Sequence, residues 1–170
     1  MKRLLYLIIF IGCGVTAHAQ YQFQATSLSE ALILLDQSSK RYDISFVYDE
    51  LEDFTRPWIE GSQVADKIVF SISDAIAEAP RMGIVFDMVF LDGDKRTYLD
   101  AYEMALGVLR PGGFILADNT LWDGHVLETP KTADRQTLGI EQFNDFVARD
   151  PRVERVILPL RDGLTLIRKR

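Results

Sequence analysis

From Lys67 to the C-terminus, short apolar runs alternate with stretches whose apolar residues recur at helical spacing, which is how a parallel α/β sheet reads. Strands are predicted at 68–72, 86–91 and 114–117. The run Phe86-Asp87-Met88-Val89-Phe90-Leu91 is almost continuously apolar, as expected of a strand covered on both faces. Helices are predicted over 97–109, ended by Arg110-Pro111-Gly112-Gly113, and over 134–149, ended by Asp150-Pro151. Two last strands, 153–160 and 164–167, flank Arg161-Asp162-Gly163 and form a hairpin.

The first third has a different texture. Met1-Lys2-Arg3 is a basic start, the apolar run from Leu4 to Gly12 has the length of a signal h-region, and Ala17-His18-Ala19 is a small-x-small cleavage pattern. Residues 1–19 therefore read as a signal peptide that predicts the periplasm or secretion, the alternative being a buried N-terminal element. The run is too short to span a bilayer, so no stable membrane span is expected. Residues 20–55 form a small βαβ pattern: a strand at 21–24, a helix over 28–39 opened by the capping box Ser27-x-x-Glu30, and a strand at 44–48. Cleavage after Ala19 would also remove Cys13, the one cysteine of the chain.

Composition narrows the classes. Apolar residues make up 48% of the 170 and charged residues 26%, a globular balance. The net charge is −6, with no basic cluster before Arg168-Lys169-Arg170, so a nucleic-acid partner is not expected. One cysteine excludes an internal disulfide and a cysteine-based metal centre.

The candidate chemistry lies at strand ends, where open α/β sheets bind ligands. Asp92 and Asp118-Asn119 end two successive strands joined by one helix. If those strands are neighbours, two carboxylates and an amide oxygen converge, a hard-oxygen set suited to Mg²⁺ or Ca²⁺. Lys95 follows Asp92 by three residues, within reach of the same pocket as a general base. Each residue also has a plain reading: Asp94 as a helix cap, Asp118-Asn119 as a turn, Lys95 as a surface lysine, Trp122 as core. His125 has no neighbouring carboxylate that would mark a triad, and no catalytic role is assigned to it.

Two resemblances emerge from these residues. The segments Phe86 to Lys95, Arg110-Pro111-Gly112-Gly113-Phe114, Ala117-Asp118-Asn119-Thr120-Leu121-Trp122-Asp123-Gly124, Asp150-Pro151-Arg152-Val153-Glu154 and Leu158-Pro159-Leu160-Arg161-Asp162-Gly163-Leu164-Thr165 follow in order. They resemble the cation-dependent, S-adenosylmethionine-dependent O-methyltransferases of the caffeoyl-CoA and catechol type over 57–170. The resemblance implies a Rossmann-like, mostly parallel α/β sheet with a C-terminal antiparallel hairpin. It implies Asp92, Asp118 and Asn119 as metal ligands, Lys95 as the residue that assists deprotonation of the acceptor hydroxyl, and Asp74, Ala75 and Asp92 at the cofactor. The expected partner is a small catechol-like hydroxyl compound, the compartment is the cytoplasm, and the chain has room for a homodimer.

Residues 1–55, including Ser45-Phe46-Val47-Tyr48-Asp49, are similar instead to the signal peptide and short N-terminal domain of secretins and TonB-dependent receptors. On that division the methyltransferase's first βαβ unit and its Gly-rich turn are missing. The catalytic domain is then truncated, and inactive if nothing fills the gap. The competing expectation is a non-enzymatic periplasmic interaction module carrying residues 57–170 as a passenger, with a seam near 55–58.

Overall fold

The computed structural model describes residues 7–11, 42–46, 52–63, 65, 68–128 and 134–170. Its sheet has seven strands: β1 (Leu7–Ile11), β2 (Tyr42–Phe46), β3 (Ile68–Ile72), β4 (Phe86–Asp92), β5 (Leu109–Asp118), β6 (Val153–Leu158) and β7 (Leu164–Lys169). They stand in the order β3-β2-β1-β4-β5-β7-β6. Pairings from β3 through β5 are parallel, and β7 runs antiparallel to both β5 and β6. The helices are α1 (Glu52–Glu60), α2 (Ala75–Arg81), α3 (Tyr98–Val108) and α4 (Arg135–Arg149), with a 3₁₀ turn at Lys95–Thr97 and a kinked pair of 3₁₀ turns over Trp122–Leu127.

The mostly parallel sheet and its closing hairpin agree with expectation. The missing first unit does not. Leu7–Ile11 is the strand between β2 and β4, and Tyr42–Phe46 fills the place between β1 and β3. An apolar run of five to nine residues serves equally well as an h-region or as a buried parallel strand, and here its backbone is paired along both edges. Cleavage after Ala19 would take this strand from between its neighbours. The predicted strand at 21–24, the helix over 28–39, Cys13 and the cleavage pattern at 17–19 lie outside the described residues.

Burial alternates along β4 and β5 instead of being continuous. Val89, Leu91, Ile115 and Ala117 are fully covered, while Met88, Phe90 and Leu116 are half-buried. The covered face meets Tyr98, Tyr102, Ala105 and Leu106 of α3 and Ile140, Phe143 and Val147 of α4 in one apolar core. Phe143 stands edge-on to Tyr98 and Tyr102, with ring centroids 5.0 and 5.8 Å away. β5 begins at Leu109, so Arg110-Pro111-Gly112-Gly113 is strand as well as helix stop, with a shifted register against β4. Gly113 is required there, because a Cβ would lie 2.9 Å from the Asp87 carbonyl.

Candidate active site

Register brings the carboxyl ends of the five parallel strands to one edge: Ile11 pairs with both Phe46 and Asp92, Phe46 with Ile72, and Leu91 with Ala117. Asp92 and Asp118, each one residue beyond the last β4–β5 pair, end adjacent strands. Each continues the half-buried face of its strand, after Phe90 and Leu116 respectively, so the two carboxylates lie on the same side of the sheet. Asn119 follows in the left-handed region, at φ 57°, and its backbone N–H donates to Asp118 Oδ1 at 2.8 Å. Asparagine is among the few residues that tolerate this conformation, and the chain turns sharply out of β5 there.

Lys95 is no surface lysine. It is 4% exposed, and its ammonium donates to Asp92 Oδ1 at 3.4 Å and to the Asp118 carbonyl at 3.3 Å. Nζ also lies 4.3 Å from the centre of the Tyr98 ring. Burial lowers the Lys95 pKa, and the charges of Asp92 and Asp118 oppose that fall. Burial raises the Asp92 pKa; Lys95 counteracts the rise and the nearby Asp118 charge adds to it. Two acids and one buried amine thus share a small volume.

α4 holds the surrounding loops. Gln136 Oε1 accepts the Lys95 backbone N–H at 2.9 Å. Gly139 lets the helix touch the Lys95 turn, since a Cβ would lie 2.1 Å from the Lys95 carbonyl oxygen. Thr137 Oγ1 accepts from Trp122 Nε1 at 3.1 Å and donates to Asp134, the cap of α4. Asn144 donates to the Thr120 carbonyl at 2.7 Å. Trp122, packed against the core as its plain reading had it, is therefore also tied to α4. None of these four α4 residues was singled out by sequence. Gly139 carried the one usable signal, a glycine inside a helical pattern.

The remaining expected residues separate. Asp74 and Ala75 lie just past β3, on the same edge but three strand positions away from β4. Asp74 caps α2 through Ile76 N at 3.0 Å, and Ala75 is buried beneath it. Asp94 is the cap its plain reading gives, accepting from Arg96 N at 2.9 Å. His125 does have a carboxylate within reach, Glu128 at 2.7 Å, but the pair is exposed and is no triad. Among the described residues no three His, Cys, Asp or Glu side chains cluster at metal-binding distance. The candidate donors, the carboxylates of Asp92 and Asp118 and the amide oxygen of Asn119, are hard oxygens of the kind that suits a divalent cation whose shell is completed by water or substrate.

The model of the O-methyltransferase family matches residues 31–170. The chain belongs to that family. Among curated relatives, a caffeoyl-CoA O-methyltransferase of Eucalyptus globulus is 32% identical over 166 residues, covering 88% of this chain and 62% of the relative. Tricin synthase 1 of rice (Oryza sativa subsp. japonica) is 30% identical over 182 residues, covering 99% of this chain and 67% of the relative. The chain therefore spans about three-fifths to two-thirds of the length of these O-methyltransferases. The structure of an O-methyltransferase from Bacillus cereus in complex with SAH superposes with a TM-score of 0.77 at 21% identity, over 97% of this chain and 74% of that one. Residues 31–55, expected from the sequence to belong to a receptor-type module, lie inside the O-methyltransferase match.

Proposed function

We propose that the chain transfers a methyl group from S-adenosylmethionine to a hydroxyl of a small, catechol-like acceptor, with a divalent cation held by Asp92, Asp118 and Asn119. The observation that carries this reading is the buried Lys95 ammonium lying against Asp92 and the Asp118 carbonyl at the ends of two adjacent strands. The cation, Mg²⁺ or Ca²⁺, would supply acidification of the acceptor hydroxyl. S-Adenosylmethionine would supply the methyl group. Lys95 would receive the hydroxyl proton at Nζ, helped by burial that favours its neutral form. α4 would keep that nitrogen in place through Gln136 and Gly139.

The cofactor's place is supported along the same edge. Gly12 and Gly14 directly follow β1 in sequence, where nucleotide-binding sheets of this kind carry their Gly-rich turn. Asp74 and Ala75, just past β3, would lie toward the adenine, and Asp92, at the end of β4, toward the reacting end. Because β1 is formed by residues 7–11, we infer that the working chain keeps them, which favours the cytoplasm over the periplasm. A homodimer remains part of this reading.

Calorimetric titration of the full chain tests it. S-Adenosylmethionine should bind with micromolar affinity when Mg²⁺ is present, and Asp118→Ala should abolish Mg²⁺ binding. Absent or millimolar cofactor binding would overturn it.

A further inference from the structure

Tyr98 lies directly beneath the site and has no part in the chemistry above. It is 1% exposed, at the first position of α3, one helical turn after Lys95. Its hydroxyl is 2.7 Å from the Leu91 carbonyl and 2.7 Å from the Asp118 carbonyl. Neither carbonyl can donate, so the one phenolic hydrogen is shared between the two as a three-centre bond. These oxygens belong to particular peptide groups. Leu91 C=O is the link that carries Asp92, and Asp118 C=O is the link between Asp118 and Asn119. The β4–β5 ladder has its last pair at Leu91 and Ala117. Tyr98 supplies the next tie across the gap, where the strands no longer pair and Asn119 turns away in the left-handed region.

The ring has a second use. Its face lies 4.3 Å from Lys95 Nζ, so the phenol and the ammonium both approach the Asp118 carbonyl from below. Phe143 of α4 stands edge-on against the ring at 5.0 Å, which leaves Tyr98 little freedom to rotate. A buried aromatic with no functional duty could be phenylalanine; the hydroxyl here is aimed at the two backbone groups from which all three proposed metal donors hang.

We propose that Tyr98 is a positioning residue, whose hydroxyl clamps the ends of β4 and β5 at the spacing the divalent cation requires and whose ring seats Lys95. This rests on the metal-assisted reading of the site and adds the residue that sets its geometry. Groups that orient ligands from behind typically change metal affinity by about 10–100-fold when removed.

The test compares three forms of the full chain: wild type, Tyr98→Phe and Tyr98→4-aminophenylalanine, the last keeping the ring and restoring N–H donors. Mn²⁺ affinity is read by electron paramagnetic resonance, S-adenosylmethionine affinity by calorimetry, and the melting temperature for each. Tyr98→Phe should weaken Mn²⁺ binding about tenfold or more with cofactor affinity unchanged, and the amino variant should recover most of the loss. Equal Mn²⁺ affinity in Tyr98→Phe and wild type would overturn the proposal. So would failure of the amino variant to restore it, a parallel loss of cofactor affinity, or loss of cooperative folding in both variants, each of which assigns Tyr98 to the core alone. A wild-type chain that does not bind Mn²⁺, or binds it unaltered after Asp118→Ala, would instead overturn the metal reading itself.

Discussion

Lys95 combines two properties that a lysine seldom has together: a buried ammonium and acceptors that only partly offset the burial. Asp92 Oδ1 and the Asp118 carbonyl are at 3.4 and 3.3 Å, longer than a strong charge-assisted bond. Burial dominates and the pKa falls, so the neutral amine becomes available at lower pH than for a lysine in water. The sign of the pH effect follows: methyl transfer should rise with pH as Lys95 loses its proton, and level off above its lowered pKa. Lys95→Met should reduce kcat by about 10²–10⁴-fold and remove that rising limb, with S-adenosylmethionine affinity unchanged. A pH–rate profile of the two forms checks this, and an unaltered limb in Lys95→Met would assign the titration to another group. At this scale the sequence could bring Asp92, Lys95, Asp118 and Asn119 to one place, because all four stand at or just past the ends of two successive strands. It was silent on Tyr98, since nothing in Lys95-Arg96-Thr97-Tyr98 says that a phenol one turn on will reach back to two carbonyls.

The elements of the C-terminal two-thirds were legible because each carries its own punctuation. β3 is found at 68–72 as expected, and α4 starts after Asp134, whose carboxylate accepts the Thr137 N–H at 2.9 Å. α1 was not seen, because it runs across the seam expected near 55–58 and holds Pro57 within it, a residue that punctuates rather than continues a helical pattern. β1 was hidden for a different reason. Its five apolar residues sit behind a basic start and before small residues, and a local pattern cannot tell an export signal from a strand paired on both sides. Ile9, which pairs with Ile44 of β2 and Phe90 of β4, distinguishes the two. Ile9→Pro removes a backbone donor from the middle of a sheet and leaves its partner carbonyl unpaired, which should lower stability by about 1–3 kcal/mol, seen as a lower melting temperature and poorer yield of folded chain. A signal peptide that plays no part in the fold would leave the melting temperature of the folded protein unchanged.

For the whole molecule, the order β3-β2-β1-β4-β5-β7-β6 makes one sheet out of segments that read as three separate parts. Non-local pairing decided this: β1 meets β4 some eighty residues later in the chain, a contact that no local pattern contains. The family match from residue 31 onward agrees with that continuity. With the strands in place, the edge that carries Asp92, Asp118 and Asn119 also has β1 and β3 beside it for a cofactor, and methyl transfer becomes a property the whole sheet can support. The most direct measurement of that claim is transfer of a labelled methyl group from S-adenosylmethionine to a catechol acceptor by the full chain, with Mg²⁺ and after its removal by a chelator. Transfer that requires Mg²⁺ and is lost in Asp118→Ala is the predicted result; no transfer, or transfer indifferent to both the chelator and the substitution, would contradict it.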